Sequence, residues 1–213
     1  MEHTTDTRES LLDAAETLFS AHGIEAASLR QITQHAGANL AAVNYHFGSK
    51  DGLVRAVFSR RLRPVTEERI RLLEQADLDA DDAIEQVLTA FLTPILRVLK
   101  ESPEGVRGFG RLMGRVFSEP SEEVRKMVFE EFRESIDRYL DAFRKILPHL
   151  DEAERMWRFH FVAGATSHTI ACTQMLERFS GGRCTASDPD EALRQMVTFL
   201  AAGLRAPSRS EAN

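Results

Sequence analysis

The stretch Ser28–Lys50, SLRQITQHAGANLAAVNYHFGSK, constrains the fold more than any other part of the chain. Ser28 followed three residues later by Gln31 is a capping box, which satisfies two of the orphan N–H groups of a helix starting at Leu29. Leu29, Ile32 and Ala36 recur at helical spacing and give that helix an apolar face. Gly37 supplies the permissive backbone of a tight turn. Asn39 is a good N-cap for a second helix, opened by Leu40-Ala41-Ala42-Val43 and carrying Asn44, Tyr45 and His46 at its end. Gly48-Ser49 stops it, and Ser49 is placed to cap a further helix from Lys50.

Two short helices joined by a glycine turn are the sequence form of a helix-turn-helix, whose second helix enters the DNA major groove. A pair of short packing helices would read the same way locally. The longer pattern is more specific. An upstream helix, Thr7–His22, carries Leu11, Leu12, Ala14, Ala15, Leu18 and Phe19 and stops at Gly23. Together with Val43-Asn44-Tyr45-His46-Phe47, Lys50, Leu53 and Val54, this arrangement is similar to the TetR family of bacterial transcriptional regulators over roughly the first 60 residues. The resemblance implies that Ser28, Arg30, Asn39, Ala41, Ala42, Asn44, Tyr45, His46 and Lys50 face double-stranded operator DNA. Asn44 suits base-edge hydrogen bonds because an amide donates and accepts together. Tyr45, His46 and Lys50 suit phosphates, the alanines permit close approach, and Val43 and Phe47 belong to the core. It also implies a homodimer on a palindrome and a small-molecule effector that alters the spacing of the two reading heads; repression and activation both remain open.

Charge opposes a nucleic-acid reading. The chain of 213 residues carries a formal net charge of −6, and residues 1–53 hold only Arg8, Arg30 and Lys50 against Glu2, Asp6, Glu9, Asp13, Glu16, Glu25 and Asp51. Binding driven by phosphate neutralisation needs a basic surface. Helix N-termini, hydroxyls and amides must therefore carry much of the contact, and salt dependence should be shallow. Arg55, Arg60, Arg61, Arg63, Arg69 and Arg71 form the one basic run. Arg61 lies roughly 16 Å along a helix from Lys50, so the run reads as a solvated or inter-domain charge face with Arg60–Arg63 directed toward a second domain.

An apolar content of 43% is ample for a core, and no uninterrupted apolar run suggests a membrane span. The polar, acidic start MEHTTDTRES, with no basic n-region or apolar h-region, is not expected to act as a signal peptide. Two cysteines, Cys172 and Cys184, fit a reducing, cytoplasmic setting, with a redox switch between them as the alternative. The seven histidines lack metal-ligand spacing, and neither a phosphate loop nor a catalytic constellation is present. The expectation is no metal, no cofactor and no enzymatic activity.

The rest of the chain reads as all-α. Pro64 is expected to kink or end the helix from Lys50, with Val65–Gln75 helical beyond it. Further helices are expected at Asp82–Glu101, Glu104–Ser118, Ser121–Leu147, Asp151–Phe179 and Asp190–Arg205. Residues 1–53 would form the helix-turn-helix DNA-binding domain and 54–213 an effector-binding and dimerisation domain, joined by the helix from about 50 to 63.

Thirteen phenylalanines and six methionines are material for an adaptable apolar pocket. Phe91, Ile95, Phe109, Leu112, Met113, Val116, Phe117, Phe132, Ile136 and Tyr139 are its candidate lining, and each reads equally as core. Gly105, Gly108, Gly110 and Gly114 weaken any helix through that segment, where Arg107, Arg111 and Arg115 offer either an anion contact or surface pairing. Near the C-terminus, Phe161, Gly164, His168 and Met175, then Met196, Phe199, Leu200 and Gly203, follow helical stripes. They read as a four-helix dimer interface, partly on the family resemblance, and equally as intrachain packing, with His168 a satisfied buried histidine.

A narrower resemblance is to the PsrA-like, fatty-acid-responsive branch of the family. It rests on Asn39–Lys50, Arg111-Leu112-Met113-Gly114 with Phe117-Ser118, Trp157-Arg158-Phe159-His160-Phe161 with Gly164-Ala165, and Phe199–Arg205. The effector it implies is a long-chain fatty acid or acyl-CoA. The rival readings are a helical lipid-acting enzyme and a helical scaffold that does not bind DNA.

Overall fold

Local capping sets where the first helices begin. In a computed structural model of the chain, α1 spans Glu2–His22, α2 Leu29–His35 and α3 Leu40–Phe47. The remaining helices are α4 Lys50–Glu74, α5 Ala83–Glu101, α6 Glu122–Ile146, α7 Glu152–Ala171, α8 Thr173–Ser180 and α9 Pro189–Arg205. The structure describes residues 2–101, 122–185 and 188–208, and no strand occurs among them. The all-α expectation therefore holds, with α1 beginning earlier than Thr7.

One expected helix end is absent, and one helix expected to be continuous is broken. Pro64 does not end its helix; α4 runs through it to Glu74. Proline removes one N–H donor, but it lies on an exposed position, and buried Leu62, Val65 and Leu73 hold the helix on either side. Packing overrides the local penalty. Conversely, the long helix expected over Asp151–Phe179 is two. The N–H of Cys172 donates to the carbonyl of His168, closing α7, and the carbonyl of Cys172 then accepts from Met175 to open α8.

The chain divides into two compact units. One holds the described residues of Met1–Pro64 and Arg107–Phe132, the other those of Val65–Val106 and Arg133–Asn213. In the first unit, α1, α2 and α3 pack on one another over Leu11, Leu12, Phe19, Ile32 and Val43, and α4 adds Leu53, Val57, Phe58 and Leu62, all essentially inaccessible. Glu16 is also buried there, only 7% exposed. Its carboxylate accepts from Arg60 Nη2 at 2.6 Å and from Arg61 Nε at 2.9 and 3.0 Å. Arg60 Nη1 donates to Asp13 at 2.8 Å. Burial disfavours the Arg60 charge, but the bonds to Glu16 and Asp13 outweigh it and hold its pKa above the usual arginine value. Arg60 and Arg61 thus pin α4 to α1 rather than facing a second domain.

The second unit is built on the pairing of α5 with α9, with α7 against both. Arg205 of α9 grips Glu85 of α5 through two bonds of 2.5 Å. Arg158 of α7 donates to the carbonyls of Leu204 at 2.8 Å, Ala206 at 2.6 Å and Pro207 at 3.0 Å, capping the end of α9. Inside the unit, the rings of Phe91 and Tyr139 meet edge to face at 5.0 Å, and Phe159 touches both Phe91 and Phe143.

Removing the buried carboxylate would take the Glu16 acceptor from both Arg60 and Arg61, leaving half-buried Arg60 with only Asp13 and Glu9. Glu16→Ala should therefore destabilise the first unit by about 2 kcal/mol, measured by urea denaturation. An unchanged midpoint would mean that the pairing behaves as an ordinary exposed ion pair.

Candidate nucleic-acid interface

Both caps expected at the start of α2 and α3 are present. Ser28 Oγ accepts from the N–H of Gln31 at 3.2 Å, and Gln31 Oε1 accepts from the N–H of Ser28 at 2.9 Å, completing the capping box. Asn39 Oδ1 accepts from the N–H of Ala42 at 3.0 Å. Between the helices, Gly37 takes φ +63°, a conformation that favours glycine.

Periodicity decides what α3 presents. Val43 is fully buried and Phe47 half-buried, one turn apart, and these anchor the helix. Ala41, Asn44 and Tyr45 project to solvent, Tyr45 being 78% exposed, whereas Ala42 and His46 are half-buried. Exposed Leu40 joins the outer face. Tyr45 and His46 rings stand edge to face at 4.9 Å, which limits the freedom of both. Ser28, Arg30 and Asn39 are exposed at the first turns of α2 and α3.

Lys50 adds a tether that sequence spacing did not reveal. Its Nζ donates to the carbonyl of Glu25 at 3.1 Å, joining the start of α4 to the connection before α2. Arg8 of α1 lies over the Phe47 ring at 5.6 Å and holds the end of α3. Gly52 is a further position missed from the sequence, although a glycine in the first turn of a helix was the available signal. A Cβ built there would stand 1.9 Å from the carbonyl oxygen of Phe47, so only glycine lets α4 pass this close to the end of α3.

With that geometry in place, comparison with known proteins decides the family. Residues 11–57 match the profile described as bacterial regulatory proteins, tetR family, and residues 89–203 match the Tetracyclin repressor-like, C-terminal domain. The chain belongs to the TetR family. It is a DNA-binding transcriptional regulator by that membership, and the family is not one of enzymes. It is 29% identical over 134 residues to the nicotine-responsive transcriptional repressor HdnoR of Paenarthrobacter nicotinovorans, covering 59% of this chain and 69% of that protein. Over 144 residues it is 28% identical to the regulator SrpR of Pseudomonas putida, covering 68% of this chain and 61% of the relative. The fold is shared with NalD, the secondary repressor of the MexAB-OprM efflux pump in Pseudomonas aeruginosa, at a TM-score of 0.65 and 21% identity over 94% of this chain and 97% of that one.

The other predicted positions are distributed as follows. Phe91, Ile95 and Tyr139 are buried in the second unit and Ile136 is half-buried there, while Phe132 is half-buried in the first unit. Phe109, Leu112, Met113, Val116 and Phe117 lie outside the described residues, as do the neighbouring glycines and Arg107, Arg111 and Arg115. Phe161, Gly164, His168, Met175, Phe199 and Gly203 are exposed, whereas Met196 and Leu200 face the core of their own unit. His168 is thus not a buried histidine. A Cβ on Gly164 or Gly203 would meet no atom within 4 Å, so intrachain close packing does not require either glycine. No group of three or more metal-ligating side chains occurs among the described residues, and no described helix is long and apolar enough to cross a membrane.

Gly52→Ala should cost about 2 kcal/mol or more because backbone must move to admit the methyl group. Gly48→Ala meets open space and pays only for φ +75°, about 1 kcal/mol. Thermal unfolding of the two variants side by side checks the order, and equal losses would contradict the close approach at Gly52.

Proposed function

We propose that this regulator acts as an effector-released repressor, with α3 as the reading helix and Asn44 as the residue that contacts base edges. The observation that carries this reading is the outward row Ala41, Asn44 and Tyr45 on a helix anchored by Val43 and Phe47. Asn44 presents an amide suited to adenine in the major groove. Small Ala41 and Ala42 let the helix sit deep, while Tyr45, His46 and Lys50, with Ser28, Arg30 and Asn39 at the two helix starts, hold phosphates. The N-terminal region, 1–53, is the DNA-binding domain, and 54–213 binds effector and dimerises.

A homodimer places two copies of α3 in successive major grooves, roughly 34 Å apart. The exposed Phe161, Met175 and Phe199, with the open surfaces at Gly164 and Gly203, support a pairing face on α7, α8 and α9. Effector binding favours a dimer whose heads are wrongly spaced, which lowers operator affinity. Ligand-released repression is supported by the nicotine-responsive repressor among the relatives. The effector class we favour is a long-chain fatty acid or acyl-CoA, on the resemblance to the PsrA-like branch and the aromatic interior of the second unit around Phe91, Tyr139 and Phe159. A cytoplasmic location follows from this role.

A mobility-shift assay with DNA upstream of the chain's own gene tests the reading helix. Asn44→Ala and Tyr45→Ala should each abolish the specific shift and leave the dimer intact by sedimentation; wild-type binding by both variants would remove α3 from the interface. For the wild type, the slope of log affinity against log salt should be about −4 or shallower per dimer, reflecting few ionic contacts. Separately, palmitate or palmitoyl-CoA should release the operator complex, and release by neither would eliminate the lipid effector.

A further inference from the structure

The second unit holds a buried cation that no acid meets among the described residues. Arg69, on α4, is only 6% exposed. Its Nε donates to the carbonyl of Phe91 at 2.8 Å, and its guanidinium lies 3.8 Å from the centre of the Phe91 ring. Tyr139 donates its hydroxyl to the backbone carbonyl of Arg69 at 3.0 Å, which fixes the arginine's own backbone rather than its charge. Among the described residues no carboxylate pairs with Arg69. By contrast, neighbouring Arg71 is bonded to Glu68 at 2.6 and 2.7 Å.

Guanidinium carries five N–H donors, of which Nε accounts for one. Burial disfavours its charge and pulls the Arg69 pKa down to about 10, which still leaves it cationic at neutral pH. A buried charge kept without a counter-ion is costly, and natural cores normally pair it. A second polar group in the unit is left open. Ser135 is 1% exposed and its Oγ has no hydrogen-bond partner among the described residues. Ser135 precedes Tyr139 by one helical turn, about 6 Å along α6, and therefore lies on the face that reaches Arg69. The surroundings are otherwise aromatic: Phe91, Tyr139, Phe143 and Phe159.

We propose that Arg69 is the receptor for the head group of an amphipathic effector bearing one compact free carboxylate, with Ser135 Oγ as an additional donor and the aromatic cluster against its apolar body. The proposal rests on the effector-sensing reading above and sharpens it. A planar carboxylate matches the arginine fork bidentately. A coenzyme A thioester has no free carboxylate at its acyl head, so the free acid is selected over the thioester.

The test uses the full-length dimer and a defined ligand set: hexanoate, dodecanoate, palmitate and 2-naphthoate, each with its methyl ester, plus palmitoyl-CoA. Thermal shift and isothermal titration read binding; operator release is followed in parallel. At least one acid should bind the wild type, about 10- to 100-fold more tightly than its ester, as expected for loss of a charge-assisted pair. In Arg69→Met the acid-over-ester preference should vanish while the operator is still bound. Arg69→Lys, which keeps the charge without the fork, should retain the preference at reduced affinity and covers the case in which the methionine variant does not fold. Binding of esters or palmitoyl-CoA equal to that of the acids, an unchanged preference in Arg69→Met, or no binding by any acid would each overturn the proposal. Acid binding that depends on Arg69 without operator release would keep this site and refute effector release. Release by esters from wild type and Arg69→Met alike would keep effector release and refute the site.

Discussion

Helices of seven and eight residues cannot hold their shape in water unaided, because nucleation is costly and few bonds repay it. The N-terminal unit is organised around that constraint. Side-chain caps at Ser28, Gln31 and Asn39 satisfy the exposed N–H groups that would otherwise fray. Ile32 and Val43 then tie each short helix to a core furnished by α1 and α4. The frame is in turn locked by Glu16 between Arg60 and Arg61, and Gly52 lets α4 pass against the end of α3. With the inner face so held, Ala41, Asn44 and Tyr45 stay exposed on the outer face of α3.

An acidic chain that belongs to a DNA-binding family has to meet an unfavourable background field. The first unit directs several charges inward or into mutual pairs. Glu9, Asp13 and Glu16 are engaged by Arg60, and Glu130 and Glu131 by Arg55 and Ser59. Lys50 is held by the carbonyl of Glu25, close to the start of α2. Neutralising acids by intrachain pairs softens the repulsion a phosphate backbone would feel without making the surface basic. Such a surface favours discrimination by shape and hydrogen bonds over general attraction to DNA.

The second unit solves a different problem, that of joining helices distant in sequence. Arginines serve as its connectors because one planar fork can satisfy several acceptors. Arg158 gathers the carbonyls at the end of α9, and Arg205 binds Glu85 across the α5–α9 pair. Arg69 differs from both in meeting a carbonyl and an aromatic face, with no carboxylate against it among the described residues.

Local order was legible in the sequence where it depends on residues three or four apart. The Ser28–Gln31 box, the Asn39 cap, the turn at Gly37 and the burial of Val43 all follow from such short-range geometry. The all-α class followed from the same periodicity. Long-range consequences were not legible. Continuation of α4 through Pro64 depended on buried partners on both sides, and the break at Cys172 was marked by neither glycine nor proline. The arginine run looked uniform, yet Arg60 and Arg61 found Glu16, more than forty positions away, and Arg69 found Phe91. Sequence by itself determined the all-α class, the capped starts of α2 and α3 and the candidate reading face, because capping and periodicity act within a turn or two. Tertiary structure alone decided which charges are buried and by what they are met, because desolvation depends on groups that only folding brings together.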